Sequence, residues 1–133
     1  MDAATRRTVR ERADDRCEYC RLRQEYAPLW RHQIEHIIPR KHRGTDELEN
    51  LAWTCVRCNL SKSSNLSGID IETGQTVVLF NPRTQIWSEH FAYSDAEIIG
   101  LTPTGRATVA VLNMNEPRRL QLRQELLELG ELD

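Results

Sequence analysis

The chain has four cysteines, and they fall as two Cys-x-x-Cys pairs, Cys17/Cys20 and Cys55/Cys58, with 34 residues between the pairs from Arg21 to Thr54. Each knuckle turns sharply enough for its two thiolates to meet one ion, so two knuckles close a tetrahedral four-sulfur site of the structural kind. A small extracellular chain would use the same residues as two disulfides. The opening run Met1-Asp2-Ala3-Ala4-Thr5-Arg6-Arg7 lacks the apolar stretch of a secretion signal. Structural zinc on Cys17, Cys20, Cys55 and Cys58 is therefore the expectation.

A small core gains from such a metal staple. With 133 residues the chain fits one compact domain over 1–133, and 39% hydrophobic residues with a mean hydropathy of −0.60 predict a soluble, cytoplasmic protein with no membrane span. The formal charge of −2 hides an asymmetry. Residues 1–65 hold 13 Lys/Arg against 10 Asp/Glu, whereas residues 66–133 hold 5 against 10. The net +3 half is the half with the cysteines. It is a modest electrostatic footprint, and it predicts weak affinity for plain duplex unless one face concentrates the arginines.

Asp2 to Asp15 reads as a short Arg-rich helix leading into the first knuckle. From Gln33 to Pro39 isoleucines alternate with charge as in a strand, Arg40 to Asn50 is a polar loop with a turn at Gly44, Leu51 to Thr54 a second strand, and Val56 to Ser63 a helix entered through the second knuckle. Beyond Ser64 the pattern predicts a small antiparallel sheet from Thr76–Phe80, Ile86–Tyr93 and Glu97–Leu101. Two helices follow, one opened by Thr102-Pro103 and running through Leu112, the other restarted at Pro117 and stopped at Gly130. The fold class expected is α+β, with a front motif over 17–65 and an extension over 66–133. His32 and His90 have no partner pattern and read as structural or surface residues. Trp30, Trp53 and Trp87 read as core or interface anchors.

Glu35-His36-Ile37-Ile38-Pro39, Gly44-Thr45, Asn50-Leu51, Cys55-x-x-Cys58-Asn59 and Lys62, in that order, resemble the HNH endonucleases, whose core is a ββα-metal hairpin and helix. The resemblance covers about Cys17 to Lys62. It implies a nuclease that hydrolyses phosphodiester bonds, DNA being the likelier nucleic acid, with one site per chain and therefore nicking unless two chains pair. Oligomeric state has no signature in the sequence.

Within that resemblance His36 is the general base, since an imidazole of pKa near 6.5 accepts a proton from water at neutral pH. The acidic residue before the histidine and the last residue of the motif share a divalent cation, which gives those roles to Glu35 and Asn59. A carboxylate with a carboxamide oxygen suits Mg²⁺ or Mn²⁺ better than zinc. Asn50 acts indirectly, bonding the loop after His36 so that the imidazole faces the scissile phosphate. Arg40, Lys41, His42 and Arg43 form the best local basic cluster, and Arg40, Lys41, Arg43 and Lys62 are the candidate phosphate contacts. Plainer readings stand beside these: a half-buried structural His36, a solvated Glu35, a helix-capping Asn59, a turn-forming Asn50, a solvated lysine and a wet charged loop. The rival functions are a catalytically inactive zinc-stabilised nucleic-acid-binding module and, more distantly, a zinc-stabilised domain whose acidic second half docks a protein.

Overall fold

The computed structural model describes residues 1–133, which sort into two compact units: Met1–Leu66 with Asn81–Gln85, and Ser67–Phe80 with Ile86–Asp133. The first unit opens with α1 (Ala3–Arg12), capped by Asp2, whose side chain accepts from the Thr5 amide at 2.7 Å. Asp14 and Asp15 then take left-handed backbone and turn the chain into the first knuckle, a conformation that aspartate tolerates better than most residues. Two strands, β1 (Gln33–His36) and β2 (Leu51–Thr54), pair antiparallel with Gln33 opposite Thr54 and His36 opposite Leu51. Cys55 caps the helix that follows, α2 (Val56–Lys62), by accepting from the Cys58 amide.

Alternation along β1 gives this hairpin two different faces. Ile34 packs with Leu51, Trp53, Val9 and Ala13, so α1 covers one side with an apolar cluster. Burying a side chain such as Leu51 there stabilises by about 2 kcal/mol. On the other side Gln33 and Glu35 meet α2 through Asn59 and Lys62. The strand expected to run to Pro39 stops at His36: the Ile37 amide still bonds the Asn50 carbonyl in register, but the Ile38 amide bonds the Asn50 side chain in place of a ladder partner.

The second unit holds two further hairpins in place of the single expected sheet. β3 (Ser67–Ile69) pairs with β4 (Thr76–Val78), and β5 (Phe91–Ser94) with β6 (Glu97–Gly100) around a turn at Asp95 and Ala96. The segment Trp87–His90, expected as strand, is a helical turn, α3, which sets the Trp87 ring 5.1 Å from that of Phe91. β3 escapes the sequence pattern because Ser67-Gly68 lacks β-forming side chains. Helices α4 (Pro103–Val111) and α5 (Pro117–Glu128) match the expected pair. Thr102 caps α4 by accepting from the Gly105 amide at 3.0 Å. Gly105 has no room for a side chain, since a Cβ there would lie 2.0 Å from the His90 carbonyl oxygen. Buried Arg119 and Arg123 place their guanidinium groups on the carbonyls of Leu112, Asn113, Ala96 and Met114, satisfying backbone that would otherwise be orphaned.

Candidate active site

Cys17, Cys20, Cys55 and Cys58 form no disulfide, are all buried, and their sulfurs lie within 4.8 Å of one another. A tetrahedral zinc with Zn–S bonds of about 2.3 Å has S···S edges of about 3.8 Å, and Cys20 Sγ lies 3.7 Å from Cys55 Sγ. Within each knuckle the second cysteine's amide points at the first sulfur, at 3.5 Å for Cys20 and 3.4 Å for Cys58. Burial pushes the Cys17 and Cys58 thiols well above their usual range, with hydrogen bonds among the sulfurs adding to it. Thiolates in such a place need a cation to neutralise them. The geometry, the reduced state and the donor chemistry all fit structural zinc.

The clasp fixes both ends of the hairpin. Cys17 closes its knuckle by bonding the Leu22 carbonyl, and Cys55 follows β2 directly. Glu18, next to Cys17, accepts from the Trp53 amide at 2.8 Å and pairs with Arg83. The four-cysteine cluster and the ββα hairpin are thus built together.

His36 ends β1 half-buried, with 19% of its side chain exposed, and its Nε2 lies 2.7 Å from Asp46 Oδ1. Asp46 is also bonded by Arg40 Nη2 at 3.1 Å. Asn50 is buried and grips the intervening loop at both ends: Oδ1 accepts from the Ile38 amide at 2.8 Å, and Nδ2 donates to the carbonyls of Ile38 at 3.0 Å and Thr45 at 2.8 Å. Gly44 lets the loop close, since a Cβ there would sit 1.6 Å from the Ile38 carbonyl oxygen. Arg43, the residue before it, is left-handed with φ 69°.

Glu35, one residue from His36, lies in a different environment. It is 4% exposed, its Oε2 accepts from the Tyr19 hydroxyl at 3.0 Å, and its Oε1 is 2.5 Å from Lys62 Nζ, an ion pair without the alignment of a hydrogen bond. Burial raises the Glu35 carboxyl above its ordinary range against the opposing pull of Lys62. Burial, and then Glu35, keep Tyr19 a neutral phenol. Asn59, on the same side of the hairpin, donates from Nδ2 to Gln33 Oε1 at 2.5 Å. The side chain of Glu35 thus meets Tyr19 and Lys62 and that of His36 meets Asp46, whereas Glu35 and Asn59 both lie where β1 faces α2. A carboxylate and a carboxamide on one face match the donor chemistry of a hard divalent cation, although Lys62 already neutralises the carboxylate.

Lys62 departs from its expected place on phosphate. It is 2% exposed, and its ammonium meets Glu35 and the carbonyls of His36 at 3.3 Å and Ile37 at 2.9 Å. An isolated lysine in a polar stretch reads as solvated; only the tertiary pairing with Glu35 explains its burial. Arg40, Lys41, His42 and Arg43 are all exposed, around a 3₁₀ turn over Arg40–His42. Asp46, Tyr19 and Gln33 carry no sequence signal of a place in the site. Asp46 follows Gly44-Thr45 in a charged loop, and no spacing rule ties it to a histidine ten residues earlier. His32, with no partner pattern, is fully buried, bonds the Leu22 carbonyl at 2.8 Å and sets its ring edge-on to Trp53.

A β-hairpin and helix clasped by four cysteines, with a histidine at the end of the first strand and an asparagine gripping the loop beyond it, define a ββα domain with a candidate four-cysteine metal site. Residues 17–65 match the family model for HNH endonuclease. Neither the curated proteins nor the solved structures contain a match to this chain. No helix is long and apolar enough to cross a membrane.

Proposed function

We propose that the protein is a metal-dependent endonuclease that hydrolyses phosphodiester bonds in DNA, with His36 as general base. The observation that carries this reading is the Asn50 grip on residues 38–45, inside the HNH segment, beside a partly exposed His36 and the basic turn Arg40–Arg43. His36 accepts the proton of a water, whose oxygen attacks phosphorus in line. The bond from phosphorus to the 3′-oxygen breaks, the departing oxygen is protonated by solvent, and the product carries a 5′-phosphate. Arg40, Lys41 and Arg43 are exposed where they can hold the flanking phosphates. Glu35 and Asn59 would hold Mg²⁺ or Mn²⁺, which supplies charge neutralisation at the phosphate and the departing oxygen.

The nuclease work belongs to the residues of the HNH segment and residues 66–133 extend it, all within a protein that acts in the reducing cytoplasm, where cysteines unpaired by disulfides stay available to a metal. A second reading, a zinc-stabilised nucleic-acid-binding module without turnover, is favoured by one observation: Lys62 neutralises Glu35 from within the protein. Plasmid nicking in Mg²⁺ or Mn²⁺, abolished by EDTA under conditions that leave zinc bound, supports the nuclease. A gel shift without nicking supports the binding module.

A further inference from the structure

We propose that Asp46 is a positioning residue for His36, fixing the imidazole in the tautomer that carries its proton on Nε2 and leaving Nδ1 as the atom that takes a proton from water. This rests on the nuclease reading of His36. The contact is direct, with His36 Nε2 2.7 Å from Asp46 Oδ1. A carboxylate only accepts hydrogen bonds, so the ring nitrogen facing it must donate, and the lone pair of a neutral imidazole is then on the other nitrogen.

Two features separate this pair from an exposed ion pair of little consequence. The first is that both partners are anchored. His36 closes a strand whose register is set opposite Leu51, and Asp46 directly follows Thr45, whose carbonyl accepts from Asn50 Nδ2 at 2.8 Å. The same asparagine therefore holds Ile38 on the histidine side of the loop and Thr45 on the aspartate side. The second is that Asp46 has its own orienting cation, Arg40, 3.1 Å away on the same oxygen. Hydrogen bonds from His36 and then Arg40 hold the Asp46 carboxyl below its usual range, so it faces the imidazole as a carboxylate at neutral pH. Arg40 thereby joins the histidine pair to the basic turn proposed to meet phosphate.

The test compares wild type with Asp46→Ala, Asp46→Glu and His36→Ala on a plasmid substrate, alongside ¹⁵N spectra of histidine-labelled protein at about pH 8, where an ordinary imidazole is neutral. Zinc content serves as the control for folding. Wild type is expected to show His36 with its proton on Nε2. Asp46→Ala is expected to give mixed tautomers and a kcat lower by at least about tenfold, part of the roughly 10²–10⁴-fold worth of a positioned general base. Its KM should stay level or fall, because removing a negative charge near the phosphate site does not weaken binding, whereas a collapsed loop would raise KM. Asp46→Glu should recover the tautomer and part of the rate. A wild-type His36 protonated on Nδ1, or an Asp46→Ala variant with either tautomer or kcat unchanged, overturns the proposal. A protein that cleaves, stops cleaving in His36→Ala and continues at full rate in Asp46→Ala overturns this inference alone. Absence of cleavage in wild type, or full cleavage in His36→Ala, overturns the nuclease reading with it.

Discussion

Lys62 Nζ lies 2.5 Å from Glu35 Oε1, with the two side chains only 2% and 3% exposed. A buried pair of this kind adds little net stability, but removing one partner strands the other charge in the interior. Lys62→Met should therefore destabilise the protein by about 3–5 kcal/mol, read as a lower midpoint in urea unfolding. The double variant Lys62→Met/Glu35→Gln should recover most of the loss, since neither charge then remains. Equal stability of Lys62→Met and wild type would mean that the carboxylate is compensated from elsewhere.

The zinc clasp should be inseparable from the hairpin. Cys55 supplies a sulfur and also caps α2, so Cys55→Ser should lose about one zinc per chain together with the fold of the first unit. Site energies of roughly 10–16 kcal/mol are typical of such zinc and amount largely to folding energy. Metal analysis with circular dichroism checks both. Full stability of a zinc-free protein would contradict the assignment.

Gly44 and Asn50 should fail in the same way, because both close one loop. A Cβ at Gly44 would sit 1.6 Å from the Ile38 carbonyl oxygen, and Asn50→Ala abandons three hydrogen bonds around Ile38 and Thr45. Asn50→Ala should cost about 1–3 kcal/mol for each buried group left unpaired, and its cleavage should fall by less than that of His36→Ala, since it holds the loop without taking the proton. Gly44→Ala should lower cleavage with zinc still bound. Normal turnover in both variants would separate the loop from the chemistry.

In the second unit, Asp70 is held by Arg106 through Nε at 2.8 Å and Nη2 at 3.1 Å, with Thr73 at 2.8 Å. Arg106 first, then Thr73 and the Glu72 amide, hold its carboxyl far below the usual carboxylate range. A folded-state pKa below the unfolded one stabilises above about pH 4, and that contribution is lost as pH falls toward the folded value. Wild type should lose stability on acidification from neutral pH to about pH 3. Asp70→Asn should be less stable at neutral pH and flatter across that range, as read from urea midpoints at the two pH values.

What the sequence showed depended on how local the signal was. The cysteine knuckles, β2, α2 and the proline-started helices α4 and α5 are written in spacing and end signals within a few residues, and they appear in the structure with nearly the expected bounds. Asn50, Glu35 and His36 stand out in the sequence only through their order in a motif, and their chemical roles belong to the proposal. What stayed hidden is tertiary: Lys62 looks like a surface cation until Glu35 is placed opposite it, and Asp46 looks like a turn residue until His36 reaches it. Trp30 was read as an anchor and stands 66% exposed, because a tryptophan's burial depends on the surfaces that close around it, which the sequence of one loop does not specify.

The role proposed for His36 is that of base in a hydrolytic site built on, but chemically separate from, the four-cysteine clasp. Its most direct test is the rate of supercoiled plasmid nicking by wild type and His36→Ala in Mg²⁺ or Mn²⁺, on preparations shown to hold equal zinc. The account predicts that His36→Ala nicks about 10²–10⁴-fold more slowly, the range for loss of a positioned general base. Equal rates in the two proteins at equal zinc content would contradict it.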